Sequence, residues 1–287
     1  MRPRRRVRVK AVLLAFAGAG LLLLAFAAFA EEARSAFRPC VDPNNLPFSD
    51  AKGEGYENRI AELFGRSLGV PVKSFEYPMR MNFVRNTLRY KLPGQDYPCD
   101  VLMNVPAGFD QAWVTKPYYR STYVLVFRRG TRMDGVTSGD ELFHRFERAD
   151  ARPVVGIFDR SPASVWLARH GWEDQARVYH MLSADPADYP GEIVAHDLLQ
   201  GEIDAAVVWG PIGGYFAKKS GGRLTVVPLR SEPGVKFDYE MSMAVRYGDR
   251  ETKALVERLI VEDKAAITAI LRDYNVPLLD ERGELLE

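Results

Sequence analysis

The chain has 287 residues and a formal net charge of +1, but the charge is unevenly placed. Six cations (Arg2, Arg4, Arg5, Arg6, Arg8 and Lys10) and no acid fall in the first thirty residues; setting those six aside leaves 33 Lys and Arg against 38 acidic residues, a balance of −5. An acidic remainder excludes a basic nucleic-acid binder, and 47% hydrophobic with 27% charged residues excludes a disordered chain.

Residues 1–30 read as an export signal. A basic start is followed by an uninterrupted apolar stretch from Ala11 to Ala30, and Ala28-Phe29-Ala30 supplies a small-residue cleavage site. An uncleaved anchor is the alternative, because the run matches a span of ~20 residues; the cleavage site favours removal. The mature product is then expected to be soluble, extracytoplasmic and not stably inserted in a membrane. In that oxidising compartment Cys40 and Cys99 are expected to pair. The bridge would close a loop of about 60 residues and contribute about 4 kcal/mol in the chain-entropy description. Two buried free thiols are the competing reading, because Cys40 reads as mid-strand and Cys99 as a strand start, which tests the reach of a bridge.

Beyond the signal, short β-rich runs alternate with helical patterns, as in an α/β sheet with crossover helices. Phe37–Val41 reads as a strand that ends in the turn-rich Asp42-Pro43-Asn44-Asn45-Leu46-Pro47. Tyr56, Ile60, Leu63, Phe64 and Leu68 are helically spaced, with Gly69 as the stop. Val70–Tyr77 is expected as a strand, Phe83–Tyr90 as a helix, and Cys99–Val105 and Tyr123–Arg128 as strands. After Gly130 the pattern restarts: strand Val154–Phe158, helix Ser161–His170, strand Arg177–His180, then a helix opened by Pro190 and closed before Gly201. Ala205–Trp209 is a buried strand, Gly213–Lys219 a short helix, and Leu224–Leu229 and Glu240–Val245 strands. A long helix from Glu251 to Tyr274 precedes Pro277. Two successive β-α-β-α-β units predict two small doubly wound sheets, whose ligands bind beyond the carboxyl ends of the strands.

Catalytic and metal signatures are missing from the sequence. His144, His170, His180 and His196 have no i, i+4 pairing. Gly53-Glu54-Gly55 opens like a dinucleotide loop, but Asn58 stands where the third glycine belongs, and no Gly-x-Ser-x-Gly or phosphate loop occurs. No enzyme, no metal and no cofactor of its own is therefore expected. The strand-end loops are richer: Asp42, Asn44 and Asn45; Asn104 and Phe109; Asp159 and Arg160; Trp209; and Tyr118, Tyr119 and Arg120 between the halves. Each has a bland alternative, in that Asp42 can simply start a turn, Trp209 can be core, and the tyrosines can pack a hinge. Their convergence on strand ends points to a small-molecule crevice.

These residues also carry a resemblance. Gly55-Tyr56-Glu57-Asn58 before a helix, Thr115-Lys116-Pro117-Tyr118-Tyr119 before the crossover, and Gly201-Glu202-Ile203-Asp204-Ala205 before a strand are similar to type II periplasmic solute-binding proteins of the amino-acid-binding branch. Cys40 to Ser49, Phe83 to Leu88, Cys99-Asp100-Val101, Val105-Pro106-Ala107-Gly108, Thr115 to Tyr123 and Val207-Val208-Trp209-Gly210-Pro211 resemble the binding-protein-like MoxJ/XoxJ component of methanol oxidation, with Lys91-Leu92-Pro93-Gly94 inclining toward the MoxJ branch.

The resemblance implies a two-lobed α/β fold, with lobe 1 formed by 31–120 plus 239–287 and lobe 2 by 121–238. It also implies a non-enzymatic role assisting assembly of the pyrroloquinoline-quinone-dependent methanol dehydrogenase or its cofactor. A receptor for an ABC importer is the alternative. Amino-acid binders usually place an Arg after the third strand to grip a carboxylate; here that stretch reads Gly108-Phe109-Asp110-Gln111. They also tend to carry an acid late in lobe 2, where Trp209-Gly210-Pro211 stands instead. The interlobe candidates are then Asp42, Asn44, Asn45, Phe48, Tyr56, Arg85, Asn104, Phe109, Tyr118, Tyr119, Arg120, Asp159, Arg160 and Trp209. Arg85, Arg120 and Arg160 would suit a polyanionic quinone, with ordinary salt bridges as the alternative for each.

Overall fold

The computed structural model describes residues 34–79, 81–181, 185, 187, 189, 191 and 193–286. The expected export segment at 1–30 and Pro190 as a helix opener lie outside the described residues. One compact unit spans Ala36–Glu287.

It begins with β1 (Pro39–Val41), the hairpin β2 (Asn44–Asn45) and β3 (Ser49–Asp50), and α1 (Tyr56–Leu68). Then come β4 (Phe75–Glu76), α2 (Phe83–Asn86), β5 (Val101–Pro106), β6 (Trp113–Val114) and the long β7 (Tyr119–Arg128). Next are α3 (Gly139–Phe146), β8 (Val155–Phe158), α4 (Pro162–Arg169), β9 (Ala176–Tyr179) and a π-helical segment, Ile193–Leu198. The chain closes with β10 (Ala205–Trp209), α5 (Gly210–Lys219), β11 (Leu224–Pro228), β12 (Asp238–Val245), α6 (Arg250–Glu262) and α7 (Lys264–Asp273).

Among the described residues a ten-stranded sheet runs β4-β1-β5-β12-β7-β10-β8-β9, with β11 beside β7 and β6 beside β12. Its two ends are built alike. β4, β1 and β5 are parallel, as are β10, β8 and β9, so the chain winds outward and back around β1 at one end and around β8 at the other. Each reversal creates a crevice beyond a strand's carboxyl end. The antiparallel strands β7 and β12 join the two ends: Asp238 to Met241 pair with Thr122 to Tyr119, after which β7 continues against β10 and β11 and β12 against β5. α1 buries Ile60 and Phe64 against Met243, Leu259, Ile267 and Leu271, while Leu142, Trp166 and Phe237 share a second core with Phe127 of β7.

Local chemistry explains where the elements match the sequence reading and where they depart from it. α1 ends at Gly69, which adopts the left-handed conformation (φ 67°) that glycine takes without strain. The strand expected at Val70–Tyr77 contracts to Phe75–Glu76 plus a single bridge between Val72 and Phe37, because Pro71 has no N–H to give a ladder and only its carbonyl takes part, accepting from Phe37. The helix expected to Tyr90 stops at Asn86, where the Thr87 hydroxyl donates back to the Phe83 carbonyl and the backbone leaves helical geometry. β7 begins at Tyr119 rather than Tyr123. Its polar opening is satisfied in place: Ser121 donates to the Pro277 carbonyl at 2.7 Å and Thr122 to the Leu229 carbonyl at 2.6 Å. The long helix expected to reach Tyr274 breaks at Asp263, whose carboxylate accepts from Ser67 at 2.8 Å, and α7 turns to pack on α1. α3 was not expected, although Ser138 caps Glu141 N–H and the Glu141 carboxylate accepts from Thr137 N–H, a start signal legible in Ser-x-x-Glu.

Candidate functional site

The carboxyl ends of β1 and β5 face a cavity of about 870 Å³. Asp42 sits just past β1. Its two carboxylate oxygens accept from the N–H groups of Asn44 (2.8 Å) and Met79 (2.6 Å), and its carbonyl accepts from Ser49 Oγ. These bonds fold residues 42–50 back as the β2–β3 hairpin. Asn44 Nδ2 then donates to the Ala187 carbonyl at 2.9 Å, linking this hairpin to the segment after β9.

The same hairpin seats α1. A Cβ on Gly55 would come within 2.2 Å of the Phe48 carbonyl oxygen, so only glycine permits this approach. Asn58 Oδ1 accepts from the N–H groups of Asp50 and Gly55, and the Phe48 carbonyl accepts from Glu57 N–H at 2.8 Å. The first turn of α1 is thereby fixed with Glu57 in the cavity wall. The Glu57 side chain has no hydrogen bond or counter-ion among the described residues, although the residue is only 8% exposed. Burial first, and then the neighbouring Asp42 carboxylate, push its carboxyl up to about 8, so it is mostly protonated at pH 7. Asn45, also on the wall and 7% exposed, buries its side-chain oxygen without a partner.

Behind the wall lies a tyrosine network. Tyr119 donates to Asn104 Oδ1 at 2.9 Å, Tyr56 and Tyr119 share a hydroxyl contact of 3.1 Å, and Tyr118 donates to the Met103 carbonyl. Burial raises all three phenols well above their usual range, keeping them neutral donors. Phe48 packs on Tyr56, and Trp209 packs on Tyr123 and Tyr239.

Of the residues singled out in the sequence, Asp42, Asn44, Asn45, Arg85, Asn104, Phe109 and Arg160 line the cavity, together with Cys40. Phe48, Tyr56, Tyr118, Tyr119 and Trp209 stand behind or beside it. Arg120 is engaged elsewhere: its Nε donates to Asp238 at 2.9 Å and its Nη1 to the Glu281 carbonyl. Asp159 accepts from Met181 N–H at 2.9 Å and lies 3.2 Å from His180 Nδ1, holding Met181 at the cavity. The site candidates read from the sequence do not include Glu57, Phe83, Arg89, Gln111, Asp185 or the methionines Met79, Met81, Met103 and Met181, all of which line the cavity. Glu57 is a first-turn acid and reads as an ordinary complement to the helix dipole, so only its burial reveals it.

Chemically, the cavity combines apolar and sulfur-bearing wall with an equal share of polar side chains, among them Arg85, Arg89 and Arg160 and the acids Asp42, Glu57 and Asp185. No group of three His, Cys, Asp or Glu able to hold a metal occurs among the described residues. Cys40 and Cys99 form a disulfide with Cα atoms 5.3 Å apart, well within bridging reach because β1 and β5 are adjacent parallel strands.

No family model matches the chain. It is 27% identical to Protein MoxJ of Paracoccus denitrificans over 276 residues, covering 91% of this chain and 96% of that protein. It is similar to the crystal structure of periplasmic binding protein XoxJ from Methylobacterium extorquens AM1, with a TM-score of 0.67 and 33% identity, covering 85% of this chain and all of that one. An ancestral cationic amino-acid solute-binding protein shares the fold, with a TM-score of 0.61 at 18% identity over 84% of this chain and 96% of its own. Extending over the whole of XoxJ at that identity, the chain belongs to the MoxJ/XoxJ-type periplasmic binding proteins and has their two-lobed type II α/β fold.

Proposed function

We propose that this protein is a non-enzymatic periplasmic accessory factor of methanol oxidation that assists assembly of active pyrroloquinoline-quinone-dependent methanol dehydrogenase or its cofactor. The full-length likeness to XoxJ carries the reading. It is supported by the chemistry of the cavity, where Phe109 and Gln111 stand at the place an amino-acid receptor would give to its carboxylate-gripping Arg. In this reading lobe 1 comprises 31–120 and 239–287, lobe 2 comprises 121–238, and the β7–β12 ladder joins them. Tagged protein retained in periplasmic extract of methanol-grown cells should co-elute with dehydrogenase, and deletion of its gene should lower dehydrogenase activity in that extract. Absence of both effects would reject the accessory role.

The second reading, a receptor delivering a small solute to an ABC importer, is favoured by one observation: a cavity of about 870 Å³ falls within the size of small-molecule sites.

A further inference from the structure

Glu57 and Asn45 are polar side chains more than nine-tenths buried, both on the cavity wall, and neither is satisfied: Glu57 has no partner among the described residues, and Asn45 Oδ1 is buried without one. Burying a polar group without a hydrogen bond is unfavourable. Among the described residues Asn45 Oδ1 is sealed from solvent, whereas the Glu57 carboxyl is not among the sealed unpartnered atoms, so Glu57 is the acceptor that a donor arriving in the cavity can reach. The surroundings narrow its chemistry. The charged and titratable groups facing Glu57 are Asp42, from the loop after β1, Tyr56 of α1, Tyr118, and Tyr119 at the start of β7; none is a cation. Arg85, Arg89 and Arg160 line the same cavity but form no ion pair with Glu57. Each Asp42 carboxylate oxygen already accepts a backbone N–H group, whereas the Glu57 carboxyl accepts none among the described residues. A hard cation such as Ca²⁺ would need about 6–8 oxygen ligands. Phe83, Phe109 and Met103 add apolar wall.

We infer that this end of the cavity is a subsite for the protonated amine of a small organic molecule, which Glu57 receives as a carboxylate while the apolar walls hold the carbon skeleton. The inference rests on reading the cavity as a ligand site, though not on the dehydrogenase as partner. Binding is coupled to a proton. Burial and the Asp42 carboxylate push the Glu57 carboxyl up to about 8, so it releases its proton to form the ion pair. At pH 7 about 0.9 proton leaves per amine bound, and affinity rises about fivefold from pH 7 to pH 8.

Benzylamine is a suitable probe. Titration calorimetry of the exported, disulfide-intact protein at pH 7, in two buffers of different ionisation enthalpy, should show saturable binding with that proton release; benzyl alcohol should show none. Glu57→Gln, a neutral isostere whose thermal unfolding checks its fold, should abolish the proton release and weaken benzylamine at least about tenfold. No benzylamine binding, binding without proton release, or an unchanged Glu57→Gln titration would each overturn the subsite. So would calcium heat that depends on Glu57 in the absence of any amine heat. Failure here with dehydrogenase co-elution intact removes only the amine subsite; loss of co-elution with a positive titration removes only the partnership.

Discussion

Two buried carboxyl groups lie in the same half of the sheet and are treated in opposite ways. Asp100, at the start of β5, has a side chain 2% exposed and is enclosed by cations: Arg38 Nε donates to it at 2.8 Å, Arg38 Nη2 at 3.1 Å and Arg246 Nη2 at 2.6 Å. Arg246 also donates to the Cys99 carbonyl and lies over the Tyr97 ring. Glu57 is almost as deeply buried but has a second carboxylate as its neighbour and no cation. A buried charge that is fully paired belongs to the architecture, whereas a buried carboxyl with no counter-ion keeps its proton well above the ordinary carboxyl range.

Breaking the paired side of this comparison should have the largest effect. Asp100→Ala leaves two inward-facing arginines without their shared partner and should cost about 3–5 kcal/mol in urea unfolding; a loss below about 1 kcal/mol would show that solvent replaces the carboxylate easily.

The open side should respond to pH instead. In the unfolded chain the Glu57 carboxyl ionises in the ordinary range, but in the folded chain it does so only near 8. Between those values the folded state holds the extra proton, so stability falls as pH rises, by about 1.4 kcal/mol per unit. Glu57→Gln removes that slope and should leave the variant more stable than the parent at pH 8, with little difference near pH 4.5. Parallel stability curves for the two proteins would contradict the burial argument.

The smallest effect concerns the support behind the wall. Tyr119→Phe loses the hydroxyl that bonds Asn104 and Tyr56, and should cost about 1 kcal/mol in thermal or urea unfolding. An unchanged midpoint would mean that Asn104 finds another donor.

The sequence was most readable where one face or one run decided the outcome. Ala205–Trp209 is an apolar run and forms β10 over those residues, and the apolar spacing of Tyr56 to Leu68 is α1. Legibility failed where tertiary partners decide. Arg120, Ser121 and Thr122 look unlike a strand until Asp238, Pro277 and Leu229 are in place to satisfy them. Nothing local in the apolar pattern after Glu251 marks Asp263 as a break, because its reason lies on α1. At the cavity the same division holds. Asp42, Asn44, Asn45, Phe109 and Arg160 were legible because residues past strand ends gather at the crevices of a doubly wound sheet. Glu57 and the methionines were not, since a helical acid and scattered thioethers acquire meaning only from what surrounds them.

The Cys40–Cys99 bridge has a bearing beyond stability. It fastens the two neighbouring strands whose far ends supply Asp42 to Asn45 on one side and Asn104 to Phe109 on the other. Oxidation therefore ties together the two strands that carry opposite banks of the cavity, so the redox state of the compartment bears on the cavity's walls as well as on the fold.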